Sequence, residues 1–149
     1  MNAPTLVFAW GNPSRGDDAL GPRFAEAVEA MGLVGVECLT DFQLQVEHVL
    51  DLRNRSRVLF VDATVDATAP FAVSPLAPAA AAGFGFTSHA LSPATLLAVY
   101  RELEGPPPPA WLLAIAGRQW ELGQPPGDEA LTHLDAALGW ARRWLAQPA

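Results

Sequence analysis

Three side chains that can bind a metal ion or transfer a proton each follow an apolar stretch of the chain. Asp18 lies in GNPSRGDDALG (11–21), directly after the run TLVFAW. Asp62 ends the run RVLFVD, and His89 lies in the later stretch SHALSP. Two carboxylates and one imidazole can ligate a divalent cation, and both groups also serve in acid–base catalysis. Which chemistry they perform depends on the elements that position them.

The pattern of apolar residues predicts a single α/β domain over residues 1–149. Short apolar runs alternate with stretches whose apolar residues recur every three or four positions, which is typical of strands followed by helices. Ser92 before Pro93 indicates a helix start, and Pro70 and Pro75 make the run 71–76 an edge strand. Strands are expected at 5–10, 34–40, 57–62, 71–76 and 111–116, and helices from Asp17 or Asp18 to Gly32, at 45–54, at 92–103 and at 128–146.

The order of these elements brings the three candidate side chains together. In open α/β sheets, ligands bind beyond the carboxyl ends of the strands, where the strand order reverses. If the order begins 2-1-3, Asp18 and Asp62 converge and His89 reaches in from a later loop. Asp17 and Asp18 have an alternative explanation as helix-capping carboxylates that the helix dipole favours. Asp62 and His89 also have an alternative explanation, as loop residues that bond to the backbone.

The other histidines and the single cysteine are not expected to take part in chemistry. His48 and His133 fall in predicted helices, where solvated positions are the simplest interpretation. Cys38 cannot form an internal disulfide, and we interpret it as a small core residue. Trp120 is either a docking contact or a rim tryptophan packed on its neighbours.

The composition argues against several classes of protein. The 149 residues carry nine basic side chains, all Arg, against sixteen acidic ones, and the formal net charge is −7. This balance argues against nucleic acid and anionic membranes as partners. No apolar run approaches the ~20 residues that a membrane span requires, so we expect a soluble, cytoplasmic protein.

Two further interpretations use the same part of the chain. Ser14, Asp62 and His89 occur in the order of an α/β-hydrolase triad, although NPSRG departs from the G-x-S-x-G elbow. The glycines of the first loop suggest nucleotide binding, but their spacing is not G-x-G-x-x-G and Pro13 removes a backbone donor. A small serine hydrolase and a non-catalytic metal- or nucleotide-binding module therefore remain as alternatives.

The stretches FAWGNPSRGDDALGPRFAEAV, VLFVDATVD and SHALSP together resemble the nickel-iron hydrogenase maturation endopeptidases. The signature of that family is Gly-Asn after the first strand, then an acidic pair followed by Ala or Gly, any residue and Gly. The similarity covers nearly the whole chain and includes the late segment LLAIAG. It implies a three-layer α/β/α sandwich with a mostly parallel, twisted five-stranded sheet. It also implies an enzyme that removes the C-terminal extension of a hydrogenase large-subunit precursor after nickel insertion.

Carried over residue by residue, the resemblance makes Asp18, Asp62 and His89 the metal ligands. Asn12 and Asp17 match signature positions that shape the loop, and Asp17 is also a candidate general base. Nickel is expected to arrive on the precursor, while other divalent ions can occupy the site. The enzyme is expected to work as a monomer.

One segment departs from the family pattern. Many members carry Asp-Gly-Gly-Thr after the second strand, whereas this chain has TDFQL at 40–44. A Gln-Leu pair at this place is similar to members that serve soluble, NAD-linked or bidirectional hydrogenases. The segment therefore bears on which hydrogenase is the substrate.

Overall fold

A computed structural model describes residues 2–80 and 91–149. Within these residues, five strands form one sheet in the order β2-β1-β3-β5-β4. The strands are β1 Thr5–Trp10, β2 Val36–Asp41, β3 Arg57–Thr64, β4 Phe71–Leu76 and β5 Ala110–Ala116. The α-helices are α1 Leu20–Ala30, α2 Pro93–Glu104 and α3 Asp128–Ala146, and two 3-10 helices span Gly16–Ala19 and Val46–Leu52.

The sheet is covered by helices on both faces. Strands β2, β1, β3 and β5 run parallel, and β4 pairs with β5 in the antiparallel sense at one edge. Successive residues of a strand point to opposite faces, so a continuous apolar run fills two cores. Val7 and Val61 pack with α1 and α3 on one face, and Phe8 and Phe60 pack with α2 on the other. The expected three-layer sandwich, its mostly parallel sheet and its edge strand 71–76 are confirmed.

Most predicted boundaries agree with the structure, but the first helix begins later than expected. Residues Gly16–Ala19 form a 3-10 turn, and the α-helix begins at Leu20. Gly32 follows its end with φ +64, as its predicted position requires. At the start of α2, Ser92 Oγ accepts a hydrogen bond from the backbone N–H of Thr95 at 3.1 Å, which confirms the predicted cap.

The second predicted helix has a different geometry. The stretch expected to follow an α-helical period at 45–54 is a 3-10 helix over Val46–Leu52. Val49 and Leu52, three residues apart, are buried, whereas Val46 and Leu50 are exposed. An α-helix would place Val46, Val49 and Leu50 on one face, and of these three only Val49 is buried. The α-helical interpretation of this stretch is therefore wrong.

The interpretation of His48 and His133 as solvated residues is also wrong. Their exposed fractions are 9% and 8%. His48 Nδ1 accepts from the N–H of Gln45 at 2.8 Å, and its Nε2 lies 3.0 Å from Asp41 Oδ2. His133 Nδ1 lies 2.8 Å from the carbonyl oxygen of Ala116. Each imidazole therefore ties a helix to the end of a strand.

The structure also shows how far Cys38 and Trp120 are buried. Cys38 is only half-buried at the margin of one core, so it is not a full core residue. Burial and the nearby carboxylates of Glu29 and Glu37 raise the pKa of its thiol to about 11. Trp120 packs against the same core and contacts Gly117, as a rim tryptophan does. No helix within residues 2–80 and 91–149 is long and apolar enough to cross a membrane.

Candidate functional site

The strand order reverses at β1, which pairs with β2 on one side and with β3 on the other. This confirms the expected order 2-1-3. The register places Ala9 opposite Val61, so β1 and β3 reach the carboxyl edge of the sheet together. The loops that follow these two strands flank a crevice, which is the usual ligand position in open α/β sheets. Asp18 and Asp62 lie at this edge.

Asp62 lies within β3, two residues before the strand ends at Thr64. Burial, and then the negative charge of Asp18, raise the pKa of the Asp62 carboxyl to about 7. A hydrogen bond from the backbone of Ala63 opposes this shift. The 3-10 helix that carries Asp18 contacts β3, which carries Asp62, so the two carboxylates lie in the same region of the carboxyl edge. The structure therefore brings together these two of the three predicted ligands.

Asp18 is held by its own loop. Its Oδ2 accepts a hydrogen bond from the N–H of Asn12 at 2.7 Å, and its backbone N–H donates to the carbonyl of Arg15 at 2.9 Å. Gly11 has φ +147, and a Cβ added there would collide with the carbonyl oxygen of Asp18. The glycine therefore allows a close backbone approach that positions the aspartate.

Asp17 and Asp18 both lie in the first turn of the 3-10 helix, as the helix-dipole explanation expects, but neither caps a helix by a hydrogen bond. Within residues 11–30, all of them described, neither the 3-10 helix nor α1 has a side-chain cap. Asp17 instead bonds to residues more than one hundred positions later. Its Oδ2 accepts from the N–H groups of Arg118 and Gln119 at 2.7 and 3.0 Å, and its Oδ1 accepts from that of Gly127 at 2.8 Å.

Gly117 belongs to this arrangement, and the search for chemical side chains did not single it out. A Cβ added at this position would lie 3.0 Å from the Cβ of Asp17 and 2.9 Å from the ring of Trp120. The available signal was the glycine that ends LLAIAG, directly after a buried strand. The three backbone donors to Asp17 carry no signal, because every non-proline residue has an N–H.

The first loop has no amide groups left to hold a phosphate. Asn12 donates to Asp18, and Ser14 donates to Asn12 Oδ1 at 2.9 Å. The remaining donors bond backbone carbonyls: Gly11 to Asp41, Arg15 to Asn12, Gly16 to Gln124, Asp17 to Gln119 and Asp18 to Arg15. Phosphate-binding loops present free amides to the ligand. This geometry therefore argues against the nucleotide-binding alternative.

Ser14 is not placed as a hydrolase nucleophile. It lies in an exposed turn four residues after β1 ends at Trp10. A nucleophile elbow holds its serine in a strained strand-to-helix turn. In the part of the chain that the structure describes, Asn54 is the only non-glycine residue with positive φ. The geometry does not favour the serine-hydrolase alternative.

His89, the third predicted ligand, lies outside the described residues. Among the described ones, no group of three His, Cys, Asp or Glu side chains is arranged to hold a metal ion. The structure thus describes the carboxylate half of the predicted site.

No protein-family model matches the sequence, and no curated protein matches it. Solved structures do. The hydrogenase maturation protease HycI from Thermococcus kodakarensis is 18% identical with a TM-score of 0.74, over 97% of this chain and 94% of that one. The maturating endopeptidase HybD from E. coli is 22% identical with a TM-score of 0.73, over 97% and 92%. A hydrogenase 2 maturation peptidase from a Thaumarchaeota archaeon is 21% identical with a TM-score of 0.68, over 95% and 97%. The fold of this chain is that of the hydrogenase maturation proteases, the proteins that its sequence resembles.

Proposed function

We propose that the chain is a hydrogenase maturation endopeptidase, which removes the C-terminal extension of a nickel-iron hydrogenase large-subunit precursor after nickel insertion. The observation that carries the proposal is the contact between the 3-10 helix of Asp18 and the strand of Asp62, at the point where the strand order reverses. The shared fold with HycI and HybD supports it. The segment 40–44 supports a soluble, NAD-linked or bidirectional hydrogenase as the target. The enzyme would act in the cytoplasm as a monomer.

The two carboxylates are suited to a cation. Asp62 is partly withdrawn from water and repelled by Asp18, which is why its pKa is raised. A divalent cation between them would relieve both penalties, as metal ions do for clustered carboxylates. With the imidazole of His89 the donor set would be two oxygens and one nitrogen, which suits a borderline ion such as nickel. Other divalent ions could occupy the same ligands.

In the proposed reaction, nickel is part of the substrate. The precursor would present the ion on its own thiolates, and Asp18, Asp62 and His89 would complete its coordination. The hydrogen bond from Asn12 fixes the orientation of the Asp18 carboxylate for this purpose. The bound ion would polarise the scissile carbonyl or lower the pKa of an attacking water. Cleavage would then report that nickel has been inserted, since a precursor without the ion has nothing for the carboxylates to hold.

The proposal is tested with nickel-loaded and nickel-free large-subunit precursor, by measuring the released peptide with mass spectrometry. We expect cleavage of the loaded precursor only. Asp18→Asn, Asp62→Asn and His89→Ala should each reduce the rate by at least about 100-fold, because each removes a ligand. Asp66→Asn is the matched control, since it removes an exposed carboxylate from the segment that follows Asp62.

Three results would contradict the proposal. Cleavage that ignores nickel would remove the role of the ion. Full activity of Asp18→Asn would remove the role of the carboxylate pair. Loss of activity in Ser14→Ala, together with labelling of Ser14 by a fluorophosphonate, would instead favour the serine hydrolase.

A further inference from the structure

The loop that carries Asp18 is joined to the loop between β5 and α3. An isolated antiparallel bridge pairs Arg15 with Leu122. Three backbone hydrogen bonds accompany it: Gly123 N–H to Ser14 O at 2.7 Å, Gly16 N–H to Gln124 O at 2.9 Å and Asp17 N–H to Gln119 O at 2.6 Å. Residues 14–17 and 119–124 therefore form a short irregular ladder.

The carboxylate of Asp17 adds three bonds to this ladder and is its most buried charged group. Asp17 is 2% exposed. Two of its donors, Arg118 and Gln119, lie two and three residues after the end of β5, and the third, Gly127, is the N-cap residue directly before α3. Backbone N–H groups that point at a carboxylate are strong, charge-assisted donors. One side chain thus fixes the first loop to a strand end and to a helix start.

These contacts leave Asp17 poorly placed to act as a base. A general base must reach the proton that it removes, at about 2.6–3.2 Å or through one water. Both oxygens of Asp17 already accept backbone hydrogen bonds at 2.7–3.0 Å. Its burial also separates it from solvent. The geometry is that of a structural support.

Asp18 depends on such a support. Its own hydrogen bonds, from Asn12 and to Arg15, both stay inside the loop. They shape the loop but do not fix it relative to β3, where Asp62 lies. Asp17 is the adjacent residue of the same 3-10 turn, so fixing its side chain fixes the backbone of Asp18.

We propose that Asp17 is a positioning residue whose carboxylate anchors the first loop to β5 and α3 and so holds Asp18 beside Asp62. The anchoring itself follows from the described contacts. Its consequence for nickel recognition rests on the proposed function. Asp17 touches neither precursor nor nickel in this proposal and acts through Asp18.

The variant Asp17→Asn tests the anchor with little change in size. An amide has one acceptor oxygen and one donor nitrogen, so in either orientation its NH₂ faces a backbone N–H. At least one of the three bonds is lost. The matched control is Glu121→Gln, which makes the same charge change on an exposed side chain of the partner loop.

The first measurement is the affinity for nickel-loaded and for nickel-free precursor, by surface plasmon resonance. We expect Asp17→Asn to reduce the preference for the loaded form by about 10- to 100-fold, the range seen when groups that support metal ligands are lost. The affinity for the nickel-free form should not change, and Glu121→Gln should match the wild type at about 0.15 M salt, where the charge of an exposed side chain is screened. An equal loss of affinity for both forms would overturn the positioning role. An unchanged preference for the loaded form would also overturn the positioning role. If cleavage were lost while that preference stayed unchanged, the result would favour Asp17 as a base.

The second measurement is amide hydrogen exchange of the isolated protein. Asp17→Asn should speed exchange in both 14–18 and 118–127 and leave β1 and β3 protected, and unchanged exchange would overturn the anchor. If Asp17→Asn does not fold, Gly127→Pro removes one donor at φ −70, which proline accepts, and Gly127→Ala keeps that donor as its control. If the wild type itself ignores nickel, the proposed function fails, and the exchange result alone decides the anchor.

Discussion

At the residue scale, Asp62 should make the stability of the metal-free protein fall as pH rises. Burial and Asp18 raise its pKa from 3.8 to about 7, so the folded state favours the protonated group. A pKa that is higher in the folded state contributes stability that is complete below the unfolded value, near 4, and is lost as pH rises through 7. Asp62→Asn, which resembles the protonated group, should therefore stabilise the fold at pH 8 by about 1–3 kcal/mol and have little effect at pH 4.

Thermal unfolding of the metal-free protein at several pH values would measure this effect. Asp66→Asn serves as the control, because it makes the same substitution at an exposed carboxylate of the segment that follows Asp62. A variant Asp62→Asn that is less stable than the wild type at pH 8 would show that the carboxylate is stabilised where it lies, and the explanation by burial and repulsion would be wrong.

The residue scale also shows what could be predicted of the site. Asp18 and Asp62 could be assigned to one edge from the sequence, because Asp18 follows β1, Asp62 lies near the end of β3, and parallel strands end at a common edge. The role of Asp17 could not be predicted from the sequence, because its partners are backbone N–H groups at 118, 119 and 127. Such donors have no residue type to recognise. His89 lies outside the described residues, so its placement stays a prediction.

At the scale of elements, α1 packs unusually close to the end of β1. Gly21 is a helical residue, and a Cβ added there would collide with the carbonyl oxygen of Trp10. Helix propensity alone favours alanine over glycine by up to about 1 kcal/mol. The collision is with backbone, which cannot move aside as a flexible side chain can. Gly21→Ala should therefore destabilise the protein by about 1–3 kcal/mol, the cost of overpacking.

Gly139 provides the matched comparison within the same molecule. It also lies in a helix, α3, and a Cβ added there meets no described atom within 4 Å. Gly139→Ala should be neutral or stabilise the fold, since propensity acts without a steric penalty. Chemical denaturation of both variants measures the two free energies of unfolding. Equal effects would mean that the contact between α1 and β1 does not constrain position 21.

Elements were predictable where burial alone specifies them. The runs at 5–10 and 57–62 are buried on both faces, and a run of that kind reads as a central strand. The 3-10 geometry of the stretch 46–52 was not predictable, because the helix type depends on local hydrogen bonds. There the Gln45 N–H donates to His48 Nδ1, and the His48 N–H donates to the backbone carbonyl of Gln45, at the start of the 3-10 helix. A histidine in such a bond is indistinguishable in sequence from a solvated one.

At the scale of the whole molecule, the acidic excess is concentrated at one edge of the sheet. The segments 11–19, 41–47, 62–70 and 117–128 all lie at the carboxyl ends of the parallel strands. They hold eight of the sixteen carboxylates but only two of the nine arginines. Six of the seven excess negative charges are therefore on this edge. The remainder of the surface is nearly neutral.

This asymmetry should attract cations to the proposed site. The interaction of exposed charges is screened over a Debye length of about 10 Å at 0.1 M salt, so the effect belongs to low ionic strength. We expect the affinity for Ni²⁺ alone, measured by calorimetry, to fall as salt rises. At low salt, removing two edge charges that are not ligands, in Asp66→Asn/Glu121→Gln, should weaken binding by about two- to threefold.

The deciding comparison is between two double variants that have the same net charge. Glu29→Gln/Glu102→Gln removes the same two charges from exposed positions near the ends of α1 and α2, at the opposite edge of the sheet. If net charge alone mattered, the two double variants would bind Ni²⁺ with equal affinity. If the position of the charges matters, only Asp66→Asn/Glu121→Gln should bind Ni²⁺ more weakly than the wild type. Equal losses would show that the cation responds to the protein as a whole. A difference that disappears in high salt would assign the attraction to the edge that carries Asp18 and Asp62.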